Sequence, residues 1–450
     1  MICIIVFSCL LYGMITMKYT PFPRVLALAL TSFLLCLAGP VSAQNGSEGY
    51  YKDIFMDSGI RLTSKSDLPV ARYLDLSLER FISAATKELT AVDTVLQYAT
   101  IVGSPIDENG ILLYPDGAPR FRMIYVNGGL ATQHGRSLTP EGRARIKEYI
   151  DAGGSYLGSC AGAFLCGRYM DTIEVKPREY LNIWPGYGVD TGMSGTYTGM
   201  TLDKDSPLLK YNDFGGDRFV DSVFHNNGCY AVPLLEPGDA KTEVLLRYDA
   251  DTMKLARPVH GRPSAWAYKQ NERSGRVIAI GSHPESRGYG EILDLMAALV
   301  RYALDGNGVI LEKGELKDGE PRVMDRRTAD QDPAYTRIGD RQYHHFFVNV
   351  PKGAKTVTIE LSTPAGWKDF DLYLFADRDK QAYRSSAPYK NVVLGSDKTL
   401  VIKDPKPGKL FVSVFCATTV DTEETKYGER YTGRTDVLNG IPYTIRTEIE

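Results

Sequence analysis

The sequence predicts an α/β fold, a parallel sheet flanked by helices, with a small C-terminal antiparallel β-sandwich appended. Three observations carry that reading. From about Tyr51 to Gly308 short β-rich runs alternate with helix-like runs, and strands alternating with helices mean a parallel sheet covered on both faces. Beyond Arg341 the pattern is purely β. Between the two lies a charged stretch with scattered Gly and Pro and no sustained apolar period, which reads as a linker.

The elements follow in order. Arg122–Val126 is a buried-strand run closed by Asn127-Gly128-Gly129. Thr139-Pro140 offers an N-cap with proline at the first helical position, and Ala144, Ile146, Tyr149 and Ile150 form an apolar stripe up to Gly153-Gly154. Ser155–Ser159 is again a strand, as is Arg276–Ile280, and Ile292, Leu295, Met296, Leu299 and Ala303 repeat at helical spacing. In the last part Phe346–Val350, Thr356–Leu361, Asp371–Phe375, Thr399–Ile402 and Leu410–Phe415 are strands ended by Pro, Gly or Asp turns.

Basic Lys18 and Arg24, the apolar run Val25–Leu37 and the small residues up to Ala43 read as a secretory signal cleaved after Ala43. That run is shorter than the ~20 residues a membrane span needs. The expected organisation is therefore signal peptide 1–43, α/β domain 44–308, linker 309–341 and β-sandwich 342–450, with a secreted or periplasmic location and no integral membrane span after cleavage. The 450 residues are 43% hydrophobic and 24% charged, proportions of globular protein rather than of a disordered or collagenous chain. A net charge of -3 lacks the basic excess of a nucleic-acid binder. Cys160, Cys166, Cys229 and Cys416 remain after cleavage, and spacing alone leaves three full pairings open.

The most informative stretch is Gly158-Ser159-Cys160-Ala161-Gly162. A residue flanked as Gly-x-Cys-x-Gly between a strand and a helix is a nucleophile elbow with cysteine in the place of serine. The glycines permit the tight turn, and the helix that follows aims its first N–H groups toward the sulfur. A cysteine nucleophile needs a base. Of six histidines, His283 ends a strand and is followed by Pro284-Glu285. Strand ends of a parallel sheet are where active sites collect, and Glu285 is placed to orient the imidazole. The N–H groups of Gly129 and Ala161 are candidate oxyanion donors. Asn127, Gly128, Phe164, His225 and Asn226 are candidate pocket residues. No metal or organic cofactor is called for. The adjacent His344 and His345, read as exposed on opposite faces of a strand, are taken as inert. Asp369, Asp371, Asp377 and Asp379 read as solvated acids, with a calcium site as the alternative.

Gly128-Gly129, Gly158–Gly162 and His283-Pro-Glu285, in that order, are similar to the class I glutamine amidotransferase-like superfamily. Closest in wording is the branch that resembles the N-terminal domain of biotin-protein ligases, through Ile146–Ala163 and Phe224–Cys229. The resemblance implies flavodoxin-like layering and a triad of Cys160, His283 and Glu285. Where true amidotransferases usually carry Gln four residues after the nucleophile, Phe164 stands here, and no synthase domain follows. The glutamine is not carried over. Phe347–Ala354, Asp369–Leu374 and Tyr443–Ile445 resemble the bacterial pre-peptidase C-terminal domain, a sandwich found on secreted hydrolases, which implies contact with a cell surface or matrix. The expectation is an exported Cys-His-Glu hydrolase that cleaves an amide or peptide-like bond of a small-molecule or peptide-like substrate through a thioester. The alternatives are a secreted binding or scaffold protein that keeps the fold without turnover, and a thiol-based stress protein of the same superfamily.

Overall fold

In chain order the first part contributes β1 (Lys52–Asp57), α1 (Pro69–Tyr73), β2 (Leu78–Phe81), α2 (Ala91–Ile101), β3 (Phe121–Val126), α3 (Ala131–Ser137), α4 (Thr139–Asp151), β4 (Ser155–Ser159), α5 (Ala161–Leu165), β5 (Gly186–Asp190), β6 (Thr196–Thr201), β7 (Phe219–His225), β8 (Cys229–Pro233), β9 (Glu243–Asp249), β10 (Pro263–Tyr268), β11 (Val277–Ile280) and α6 (Gly290–Leu304). The structure is a computed structural model that describes residues 48–57, 68–81, 90–170, 179–234, 241–250, 258–309 and 311–450. The signal expected over residues 1–43 lies outside them. Among the described residues no helix is long and apolar enough to cross a membrane.

Strands β2, β1, β3, β4 and β11 lie side by side and parallel. The sheet does not stop there, and the expected parallel sheet is corrected to a mixed one: β10, β9, β6 and β7 extend it in antiparallel fashion past β11. The alternating run Thr-Tyr-Thr-Gly-Met-Thr of β6 is that of a strand with one wet face, whereas β10 is buried along nearly its whole length. β3 is buried along its whole length, as a strand covered on both sides requires. The two-residue period divides its neighbours between two cores. Phe55, Ile124, Val126 and Tyr156 pack with Leu138, Ile146, Ile150 and Leu165. Ile54, Met56, Met123, Tyr125 and Leu157 pack on the other side with Val70, Leu295, Met296 and Leu299. Helix α4 begins one residue earlier than the sequence suggests: Thr139 is its first residue, Leu138 precedes it, and the Thr139 hydroxyl bonds Glu141 instead of capping.

The second part holds β12 (Glu312–Glu315), β13 (Arg322–Met324), β14 (Tyr343–Val350), β15 (Thr356–Ser362), β16 (Leu372–Asp377), β17 (Tyr389–Asn391), β18 (Lys398–Lys403), β19 (Gly408–Cys416), β20 (Asp421–Thr425), β21 (Gly428–Thr432) and β22 (Tyr443–Ile449). One sheet runs β12-β14-β19-β16-β17 and the other β13-β22-β15-β18. Two corrections concern boundaries. The stretch 309–341, read as a linker, supplies β12 and β13, one to each sheet; β12 pairs parallel with β14. Within 342–450, the hairpin β20–β21 leaves the sandwich and joins the edge of the α/β sheet, where Phe81 pairs with Gly428. A third correction concerns His344 and His345, which are buried, because β14 is covered on both sides. His344 Nδ1 meets the Tyr443 hydroxyl at 2.7 Å and His345 Nδ1 meets Ser413 Oγ at 2.9 Å. Burial pushes His345 down to about 4 and His344 well below the usual imidazole range. Asp371 and Asp377 accept loop N–H groups from Gly395 and Asp379.

The two parts share one apolar core, which runs from Phe121 and Tyr114 to Phe346, Leu372 and Val414. At its centre Arg120, 2% exposed, reaches Asp340 at 3.0 Å and Asp107 at 3.5 Å, with its guanidinium over the rings of Tyr51 and Tyr431 at 4.7 and 5.4 Å.

Candidate active site

The C-terminal ends of β3, β4 and β11 meet at one edge of the sheet, and the sequence places its chemistry there. Cys160 is the residue between β4 and α5, with φ +49° and ψ −102°. That conformation is costly for a residue with a Cβ and is kept only where the surroundings enforce it. The flanking glycines show what enforces it. A Cβ on Gly162 would stand 2.2 Å from the Val126 carbonyl oxygen, and one on Gly158 would stand 2.5 Å from the Gly162 carbonyl. The two strands and the helix start are therefore in backbone contact, and the turn between them has no room to relax. The Cys160 N–H donates to the Ile280 carbonyl at 2.9 Å, which ties the elbow to β11.

His283 lies three residues past β11, and its N–H donates to the Phe224 carbonyl at 2.8 Å. Its Nδ1 is 2.8 Å from Glu285 Oε1. A carboxylate only accepts, so Nδ1 carries a proton and Nε2 is the nitrogen left for the reaction. Burial works against a charged ring here; the neighbouring Cys160 and the hydrogen bond and charge of Glu285 outweigh it, and His283 is raised to about 10. His283 and Glu285 are 4% and 6% exposed and Cys160 is 6% exposed. The second Glu285 oxygen is buried without a hydrogen-bond partner among the described residues.

Gly128 closes the group from the β3 side. A Cβ there would fall 2.4 Å from His283 Cε1 and 3.4 Å from Cys160 Cβ. Gly129, half-buried, follows it, and the Ala161 N–H heads α5 beside the sulfur. Neither amide donates to a protein acceptor among the described residues. The structure thus brings together Cys160, His283, Glu285, Gly128 and the two candidate donors. Asn127 is buried at the end of β3. Asn226 contributes through its backbone: its carbonyl is 3.6 Å from Cys160 Sγ, while its side-chain oxygen accepts from Ser194 Oγ and the Gly195 N–H, both at 3.0 Å.

Two candidate pocket residues are placed differently. Phe164 is in the core, with its ring over Gly188. His225 is fully buried, where Nε2 accepts from the Gly228 N–H at 3.2 Å and meets Thr191 Oγ1 at 2.7 Å, and Nδ1 meets Ser282 Oγ at 2.8 Å. Burial and then the charge of His283 push it down to about 4, so it is a neutral brace between the β7–β8 turn and the residue before His283. The four cysteines among the described residues are free thiols, and burial pushes Cys166, Cys229 and Cys416 up. Sequence reasoning gave no site role to Phe224, which opens the Phe224–Cys229 run and whose ring is 5.7 Å from that of His283, or to Tyr125 in the Arg122–Val126 strand, whose hydroxyl is 2.9 Å from Ser159 Oγ beneath the elbow. A cavity of about 170 Å³ opens elsewhere, beside Trp184, Tyr268 and Gly275 at the opposite ends of the strands.

The chain is similar to known proteins over two separate stretches. A curated relative, an uncharacterized protein of Chlamydia muridarum (strain MoPn / Nigg), is 27% identical over 173 residues, which cover 36% of this chain and 60% of the relative. The chain thus spans about three-fifths of the length of the relative it matches. Among solved structures, a glutamine amidotransferase is similar at 19% identity over 42% of this chain and 81% of its own, with a TM-score of 0.27. The pre-peptidase C-terminal domain of a Bacillus anthracis collagenase is similar at 11% identity over 31% of this chain and all of its own, with a TM-score of 0.17. Residues 105–297, which hold the cysteine, the histidine and the glutamate, match the family model of the biotin-protein ligase N-terminal domain, and residues 342–415 match that of the bacterial pre-peptidase C-terminal domain.

Proposed function

We propose that the protein is an exported hydrolase that cleaves an amide or peptide-like bond through a thioester on Cys160. The observation that carries the reading is the single imidazole held between a carboxylate and a strained cysteine, with Nδ1 2.8 Å from Glu285. His283, raised to about 10, already holds the proton, and Cys160 Sγ bonds to the carbonyl carbon as the thiolate. The oxyanion is met by the N–H groups of Gly129 and Ala161. As the C–N bond breaks, His283 returns the proton to the leaving amine, which leaves a thioester. Water then attacks, His283 takes its proton, and the C–S bond breaks to give the acid and the free thiol. Glu285 keeps the ring in the tautomer that faces the sulfur. Export is supported by the basic, apolar and small-residue pattern up to Ala43 and by the match of residues 342–415 to a bacterial pre-peptidase C-terminal domain.

The test is alkylation of Cys160 by iodoacetamide between pH 5 and 9, read by peptide mapping, on wild type and His283→Ala. An ordinary thiol of pKa ~8.5 slows about 75-fold from pH 8 to pH 6. The hydrolase reading expects wild type to slow far less and His283→Ala to slow as an ordinary thiol does. Ordinary behaviour in both proteins favours the binding or scaffold alternative.

A further inference from the structure

We infer that the substrate carries an aromatic or large apolar group on the amine side of the scissile bond, seated on a ledge formed by Phe224 and Tyr197. The inference rests on the hydrolase reading and deepens it. His283 has one nitrogen to offer the reaction, because Nδ1 is committed to Glu285. The leaving nitrogen must come within hydrogen-bond reach of the other, so its substituent leaves along the flank of the imidazole. That flank is Phe224, whose ring centroid is 5.7 Å away at a 40° tilt, fixed by the bond from the His283 N–H to the Phe224 carbonyl.

Phe224 continues into Tyr197, its cross-strand partner, at 5.5 Å between centroids. Both face away from the core. The register shift in β6–β7, with Ser222 at φ +59°, lets Val220 and Val223 both point inward and turns Phe224 outward. Tyr197 is 57% exposed, a large ring left in water against Phe224, which in turn packs against His283. In sequence the two rings are flanked by the uncharged Thr196, Asn226 and Asn227, and Asn226 is bonded to Ser194. Once the thiol proton has moved to His283, the Asn226 carbonyl beside the sulfur is available to accept an N–H from the substrate. Its own side chain is held by Ser194 and Gly195 and keeps it in place. A neutral, peptide-like amide with an apolar amine substituent meets all of these features.

The experiment uses N-substituted chloroacetamides on the full chain, in which the Cys160 sulfur displaces chloride and the amide substituent lies on the amine side. Second-order labelling rates are measured for N-benzyl, N-methyl and N-carboxymethyl probes, each divided by its rate with free glutathione. The ledge predicts a benzyl-to-methyl ratio of about ten or more, since filling an apolar subsite discriminates by roughly 10–200-fold. It also predicts that Tyr197→Ala brings the ratio close to one, that Tyr197→Phe keeps it, and that N-carboxymethyl is not favoured. A ratio near one in wild type, or a preference untouched by Tyr197→Ala, overturns the proposal. The pH dependence of N-methyl labelling reports Cys160 activation separately. A benzyl preference without activation therefore supports the subsite and sinks hydrolysis, and activation without the preference does the reverse.

Discussion

Gly128→Ala tests whether the site is as tightly assembled as its geometry indicates. Gly128 is not in the left-handed region, so alanine carries no backbone penalty there and the whole effect is steric. The new methyl would lie 2.4 Å from His283 Cε1 and 3.1 Å from Nδ1. Carbon atoms at contact prefer ~3.5–4.0 Å, so the ring must retreat by about 1 Å. A retreat of that size stretches the 2.8 Å bond to Glu285 beyond hydrogen-bond range and draws Nε2 from the sulfur. Loss of a charge-assisted bond is worth ~1.5–3 kcal/mol, and a 1 Å misplacement of a reacting group ~10²-fold in rate. The assay is iodoacetamide labelling of Cys160 at pH 6, with circular dichroism and thermal unfolding to confirm that the fold persists at an overpacking cost of ~1–3 kcal/mol. The expected result is roughly hundredfold slower labelling, with Gly366→Ala, where a methyl meets open space, as the unaffected control. A folded Gly128→Ala protein that labels at the wild-type rate would refute the reasoning, because the imidazole would then not be wedged between Gly128 and Glu285.

Three further outcomes follow from the same structure. Cys160→Gly should unfold at higher denaturant than Cys160→Ala, by about 1–2 kcal/mol, because only glycine relieves φ +49°, ψ −102°; equal midpoints would mean that the turn stores no strain. Asp340→Ala leaves the Arg120 guanidinium buried without its 3.0 Å partner and should cost ~3–5 kcal/mol in urea unfolding, with Arg120→Met in the same chain recovering much of the loss. Burial, only partly offset by Lys52 at 2.6 Å, raises Glu79 to about 7, so the native state keeps a proton that the unfolded chain releases near pH ~4.3. The stability this contributes is fully present below that pH and is lost as pH rises through 7, on the order of 3 kcal/mol, and Glu79→Gln should flatten the profile of unfolding free energy between pH 4.5 and 7.

How much was legible from the sequence depended on whether the signal was local. The elbow, the buried strand Phe121–Val126 and the stripe of α6 are local patterns, and each stands where its periodicity puts it. Glu285 lies two residues from His283, so that pair could be read off one line of sequence. The mixed sheet could not, because β10, β9, β6 and β7 pair across separations that no local pattern records. The linker reading failed for a related reason. β12 and β13 are short and charged, with Lys313 buried against Asp116, 197 residues away, which accepts from it at 2.8 Å beside the Pro333 carbonyl and Thr336. His344 and His345 looked exposed because histidine is polar, yet Tyr443 of β22 and Ser413 of β19 each bond one ring nitrogen inside the sandwich.

The division into a domain for chemistry and a domain for attachment fits the sequence better than it fits the contacts. A module added only for docking needs a tether, but here the Gly428 edge of β21 pairs with Phe81, and Arg120 at the foot of β3 is neutralised by Asp340, which precedes β14. β3 ends in Val126, whose carbonyl sets the clearance of Gly162, and it leads into Gly128, which sets that of His283. The register of this one strand is therefore held at its N-terminal end by the sandwich and read out at its C-terminal end as the spacing between cysteine and imidazole. A charge lost at Asp340 acts on the strand that positions the site, so Asp340→Ala should depress Cys160 labelling at pH 6 under conditions where the protein is still fully folded. Wild-type labelling in that variant would show that the sandwich supports stability alone.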